Sequence, residues 1–152
     1  MRLAEIMTTS VQTIDENSDA DVAFNQMRLH HIRHLVVMDH KQALGVISDR
    51  DLGGPRGASL RKGRMVNELM TPAPVTASPT MSVREAANLL RGRTIGCLPV
   101  FERGKLVGIV TTTDLLTLLG RGALKPVTQG KRWTLKHRAS RRGSSSITTA
   151  NV

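Results

Sequence analysis

Two short stretches of this 152-residue chain hold side chains whose types and spacing can do chemistry, Gly45-Val-Ile-Ser-Asp-Arg-Asp51 and Gly108-Ile-Val-Thr-Thr-Thr-Asp114. In each, an apolar strand-like run delivers a hydroxyl, Ser48 or Thr111, and a carboxylate, Asp51 or Asp114, follows three residues later. If the hydroxyl opens a helical turn, the two side chains face the same way about one turn apart. A carboxylate accepts two hydrogen bonds at once, which suits the adjacent 2′ and 3′ hydroxyls of a ribose. The Ser or Thr hydroxyl and the free N–H groups of the turn can hold the sugar or a phosphate. The same spacing also describes a helix cap, because [ST]-x-x-D is nearly a capping box and an acid in a first turn favours the helix dipole without any ligand. The two roles are compatible. Arg50 could reach a phosphate at the first stretch, or merely pair with Asp49 or solvent, whereas the aligned Thr113 carries no charge, so the two stretches are expected to differ in ligand or affinity.

The elements that position these residues come from a duplication. Shifting the sequence by 63 residues lays Glu5–Leu52 on Glu68–Leu115 without a gap and makes 13 of the 48 pairs identical, among them Met7/Met70, Thr8/Thr71, Thr13/Thr76, Gly45/Gly108 and Asp51/Asp114. Each copy is too short to bury both of its faces alone, so the two must pack on each other.

Within a copy the pattern reads extended segment, helix, strand, strand, helix. In the second copy Pro74 to Pro79 is extended, Ser82 to Glu85 is a capping box opening a helix, and Gly92 and Gly96 bracket its end. Cys97–Phe101 and Leu106–Val110 are short β-rich runs joined by a Gly-containing turn, and Thr111–Leu119 is a helix stopped by Gly120. The first copy matches, with Asp19 as the cap, strands at Leu35–Met38 and Leu44–Ile47, and a turn at Asp39–Gln42. Gly53, Gly54, Pro55 and Gly57 interrupt its closing helix, and a flexible linker is expected to follow to about Met65.

The net charge of +10 invites a nucleic-acid reading, but eight Lys and Arg and no acid lie beyond Leu119, leaving the rest of the chain near +2. The basicity belongs to a tail. One cysteine, Cys97, excludes an internal disulfide and fits a reducing compartment. No run approaches the apolar length of a membrane span or signal peptide, so a cytoplasmic location with no membrane contact is expected.

These features resemble the CBS-domain family, on the segments MTTSVQTI and MTPAPVTASP, HLVVMD and CLPVFE, and above all GVISDRDL and GIVTTTDLL. The resemblance spans residues 1–120. It implies a mixed α/β fold of the α+β kind, in which two tandem β-α-β-β-α repeats at 1–57 and 66–120 pack with pseudo-twofold symmetry. A linker at 58–65 joins them, and a basic, largely disordered tail at 121–152 leaves room for a short element around Trp133 to Leu135. It further implies a regulatory module that needs no cofactor, binds an adenosyl ligand (AMP, ADP, ATP or S-adenosylmethionine) in clefts between the repeats, forms a homodimer and acts on a regulated protein of unknown identity. The residues expected at the clefts are Thr13, Ser48, Arg50 and Asp51 in the first copy and Thr76, Leu98, Pro99, Thr111 and Asp114 in the second. Thr13 and Thr76 would line base pockets, although Thr in a short strand needs no such role. Pro99, where the first copy has Val36, would frame the second cleft.

His30, His31, His34 and His40 cluster in the first copy, but no Cys or paired carboxylate completes a tetrahedral set, so no metal site is expected. Met7, Met27, Met65 and Met70 fall on apolar positions and read as packing residues. There is no nucleophile beside a base and no Walker-type phosphate loop, which argues against an enzyme. The competing reading is a nucleic-acid-associated protein whose repeats serve as a dimerisation scaffold while the tail grips phosphates.

Overall fold

The computed structural model describes residues 1–121. The tail from residue 122 on, with its expected disorder and the Trp133 segment, lies outside the described residues.

Blocks of β-branched and aliphatic residues form the strands. β1 (Thr13–Asp15) runs parallel to β2 (His34–Asp39), β2 is antiparallel to β3 (Gln42–Ser48), and β4 (Thr71–Pro72) lies antiparallel on the outer edge of β3. In the second copy β5 (Cys97–Glu102) and β6 (Lys105–Thr111) form an antiparallel hairpin. That hairpin is flanked by single bridges, Ala77 with Val100 on one side and Thr8 with Ile109 on the other.

These bridges repeat at the 63-residue shift in a telling way. Ile14–Val37 becomes Ala77–Val100 within a copy, but Val46–Thr71 becomes Ile109–Thr8 across copies. Arg2–Ser82 and Met65–Asp19 are related by the same exchange. The leading segment of each repeat therefore pairs with the hairpin of the other, which is the pseudo-twofold relation expressed in hydrogen bonds. This crossing explains the glycine of each chemical stretch. A Cβ on Gly45 would strike the carbonyl oxygen of Thr71 and approach Met70 Sδ to 2.9 Å, and one on Gly108 would meet Met7 Sδ at 2.6 Å.

The cores follow the same exchange. Ile14, Ala20, Ala23, Phe24, Met27, Leu35, Val37, Ile47 and Leu52 are buried together with Val66, while Ala77, Ala86, Leu90, Leu98, Val100 and Val110 are buried with Leu3. Because strand side chains alternate, Val36, between Leu35 and Val37, points the other way and joins Cys97 and Ile109 in a third cluster between the sheets.

α1 (Ala20–His30) and α4 (Val83–Arg93) are the long helices of the two copies. Ser82 caps α4 through its Oγ, which accepts from Glu85 N–H at 3.0 Å, whereas Asp19 occupies the cap position of α1 without a side-chain hydrogen bond. Both helices end on a left-handed residue, and it is His31 (φ 55°) and Thr94 (φ 53°), not either of the bracketing glycines, that takes this role. The segment expected as a flexible linker contains a one-turn helix, α2 (Ala58–Arg61), whose Arg61 is buried. α3 (Val66–Leu69) then opens the second repeat, and α5 (Thr112–Gly120) closes it.

Candidate functional site

Both [ST]-x-x-D turns have the same geometry. In the first, Ser48 N–H donates to Asp51 Oδ2 at 2.9 Å and Asp51 N–H donates to Ser48 Oγ at 3.1 Å. In the second, Thr111 N–H donates to Asp114 Oδ2 at 2.8 Å and Asp114 N–H donates to Thr111 Oγ1 at 3.1 Å. Each is a reciprocal capping box, so the capping alternative is realised in both copies. The carboxylates remain half-buried, and among the described residues their Oδ1 atoms make no hydrogen bond. One carboxylate oxygen thus shapes the turn while the other stays available as an acceptor.

Thr13 and Thr76 are exposed. Ser48 pairs with His34, two residues beyond the Thr13–Val36 rung and two strands away, which puts Thr13 and Ser48 about 12 Å apart by strand geometry. Thr76 and Thr111 hold the same relation around β5 and β6. That span is comparable with the length of a nucleoside monophosphate. Gln26 Nε2 donates to the Thr13 carbonyl at 3.0 Å and fixes the first of these segments to α1.

An open cavity of about 640 Å³ lies between the β2–β3 turn, Asp39 to Ala43, and the β5–β6 turn, with Pro74, Thr76, Phe101 and Gly104 on its wall. Its volume suits a small ligand. The cavity sits at the turn end of the hairpins, whereas Thr111 and Asp114 sit at the opposite end of β6. Among the residues expected at the clefts, Thr76 lines this cavity. The turns present a defined donor and acceptor geometry, whereas the cavity is open and bounded mostly by turn residues.

The remaining expected residues are placed less uniformly. Arg50 is exposed next to Asp51. Leu98 and Pro99 are fully buried, Leu98 in the second core, and the Pro99 carbonyl accepts from Ala77 N–H at 2.9 Å. Their side chains therefore support the strand beneath the turn and do not face an open surface.

Two groups stand at the junction of the copies: His34, weighed above only within the histidine cluster, and Cys97, weighed only as a lone cysteine. His34 and Cys97 occupy matched positions, and the His34 ring packs so closely on Gly96 that a Cβ there would lie 2.7 Å from Nε2. Burial lowers the His34 pKa despite the opposing pull of Asp49 and Asp51, and Arg33 adds to the lowering. Burial also pushes the Cys97 thiol up to about 12, and the field of Asp51 adds to that shift. The first carboxylate is thus felt on the other copy's β5. His40, by contrast, is exposed and lies 3.6 Å from Asp39. Among the described residues no three His, Cys, Asp or Glu side chains gather as metal ligands, and no helix is long and apolar enough to cross a membrane.

Comparison with known proteins gives concordant matches. Residues 3–52 and 66–121 each match the family model of the CBS domain. A CBS domain-containing protein of Dictyostelium discoideum is 36% identical over 136 residues, covering 81% of this chain and 93% of that protein. The solved CBS domain pair of protein MJ0100, in complex with 5′-methylthioadenosine and S-adenosyl-L-methionine, is similar with a TM-score of 0.72 at 26% identity, over 80% of this chain and 97% of that one. The structure of CBSX2 in complex with AMP is similar with a TM-score of 0.68 at 26% identity, over 81% and 98% of the two chains.

Proposed function

The chain belongs to the CBS-domain family, and from that premise we propose that it is a non-enzymatic regulatory module that binds an adenosyl ligand at its two carboxylate turns and passes the occupied state to a partner protein. The observation that carries this reading is the duplicated capping box that leaves one oxygen of Asp51 and of Asp114 as an acceptor. The 2′ and 3′ hydroxyls of a ribose can donate to that oxygen, with the Ser48 and Thr111 hydroxyls beside it. Thr13 and Thr76, two strands across the sheet from Ser48 and Thr111, are the residues assigned to the base. Arg50 offers a cation for a phosphate at the first turn, and nothing equivalent stands at Thr113. Leu98 and Pro99 contribute by shaping β5. The adenosyl ligands in the MJ0100 and CBSX2 structures support the ligand class.

We further assign the protein to the cytoplasm and to a homodimer. Self-association is supported by apolar side chains left in water, Val22 and Leu29 on α1 and Leu116 and Leu119 on α5, all more than half exposed.

A thermal-shift panel of AMP, ADP, ATP, S-adenosylmethionine, NADH and cyclic dinucleotides tests the reading, since a ligand that binds only the folded state stabilises it by RT ln(1 + [L]/Kd). An adenosyl compound is expected to raise the melting temperature. A panel with no response, or a response confined to non-adenosyl compounds, overturns the proposal.

A further inference from the structure

We propose that Arg61 is a positioning residue for the first nucleoside site, holding in place the turn that carries Asp51; the inference rests on the nucleoside reading above. Behind Asp51 the chain has no helix to brace it. Gly53 and Gly54 take positive φ, at 82° and 63°, before a single 3-10 turn over Gly54–Arg56. A helix cut off this early leaves carbonyls without intrahelical donors.

Arg61 supplies those donors from the segment between the repeats. Its Nη1 donates to the carbonyls of Leu52 and Gly54, each at 2.8 Å, and its Nε donates to Asp21 Oδ1 at 2.9 Å. The guanidinium lies 3.8 Å over the Phe24 ring, and the side chain is only 6% exposed. A planar group with several fixed donors can tie two carbonyls, a carboxylate and an aromatic face together at once, which a lysine cannot. Leu52 directly follows Asp51, so the clamped Leu52–Gly53 peptide lies one residue beyond the ribose acceptor. In the second copy Thr111 and Asp114 lead straight into α5, whose own hydrogen bonds brace the turn. The first site therefore depends on a residue outside both motifs, and the second does not.

The test uses the full chain with one site isolated at a time, Asp114→Asn reporting the first site and Asp51→Asn the second. Each is titrated with AMP, then with S-adenosylmethionine, in a calorimeter, and cooperative melting checks the fold. Arg61→Lys is expected to weaken first-site binding roughly 10-fold through loss of placement, and to leave the second site within about twofold. Asp21→Asn removes the charge on one anchor of Arg61 and is expected to weaken the first site less than Arg61→Lys does, while leaving the second within about twofold. An equal loss at both sites, or no loss at the first, overturns the positioning role. If AMP and S-adenosylmethionine bind and respond to the Asp variants but not to Arg61→Lys, this inference alone falls. If neither ligand binds the unmodified protein, the nucleoside reading falls and takes this role with it.

Discussion

The turn at Ser48–Asp51 and the turn at Thr111–Asp114 share the same two capping contacts, matching within 0.1 Å, yet they are braced in different ways. The second runs into α5, while the first breaks at Gly53 and Gly54 and is held by Arg61. Their surroundings differ too, with His34 paired opposite Ser48 and Cys97 opposite Thr111. A motif of four residues can thus be duplicated faithfully while its support diverges, and the support is where the two sites are expected to differ in affinity.

The comparison can first be broken at the exchange of leading segments. Leu3 is fully buried in the second core although it begins the first repeat, so Leu3→Ala is expected to cost about 2 to 5 kcal/mol in denaturant unfolding. Its matched residue Val66 sits in the first core, and Val66→Ala is expected to give a smaller loss there. An unchanged midpoint for Leu3→Ala would mean that the segment does not pack on the second copy.

The glycines sharpen the difference. At Gly45 an added methyl meets the Thr71 backbone, which cannot yield, whereas at Gly108 its nearest neighbour is the flexible Met7 side chain. Gly45→Ala is therefore expected to cost about 1 to 3 kcal/mol, and Gly108→Ala less, in the same unfolding measurement. The reverse order would contradict the described crossing.

Smaller effects belong to the junction. Because the folded-state pKa of His34 lies below its unfolded value, the unfolded chain takes up a proton first as pH falls through about 6.5. That contribution to stability is present above this window and is lost as pH falls through it. His34→Gln should flatten the slope of melting temperature against pH there, and an unchanged slope would exclude His34 as its source. Cys97, with its thiol pushed up to about 12 and its side chain buried, should resist alkylation at pH 8 until the protein unfolds.

Much of this was legible in the sequence because it is local. The hairpins and the two [ST]-x-x-D turns depend on residues a few positions apart, and the 63-residue shift is read directly from residue identities. The exchange was not legible, because aligning Thr8 with Thr71 does not say which hairpin each one joins. Arg61 was hidden for a similar reason. It lies in a stretch whose glycines read as linker, and its partners Asp21 and Phe24 are some 40 residues upstream on α1. The left-handed helix ends fell on His31 and Thr94 because the chain must turn where β2 and β5 begin, whatever residue stands there.

The central claim, that each carboxylate turn holds a ribose, is tested most directly by calorimetry of AMP against 2′-deoxy-AMP on the unmodified chain and on Asp51→Asn and Asp114→Asn. Asn keeps the acceptor that the capping box needs, so the fold should persist with at most about 1 kcal/mol lost through the helix-dipole term. The account predicts that the deoxy compound binds more weakly by about 1 to 3 kcal/mol, and that each Asn variant weakens its own site by a similar amount. Equal affinities for the two nucleotides, unmoved by either substitution, would contradict it and leave both aspartates as helix caps alone.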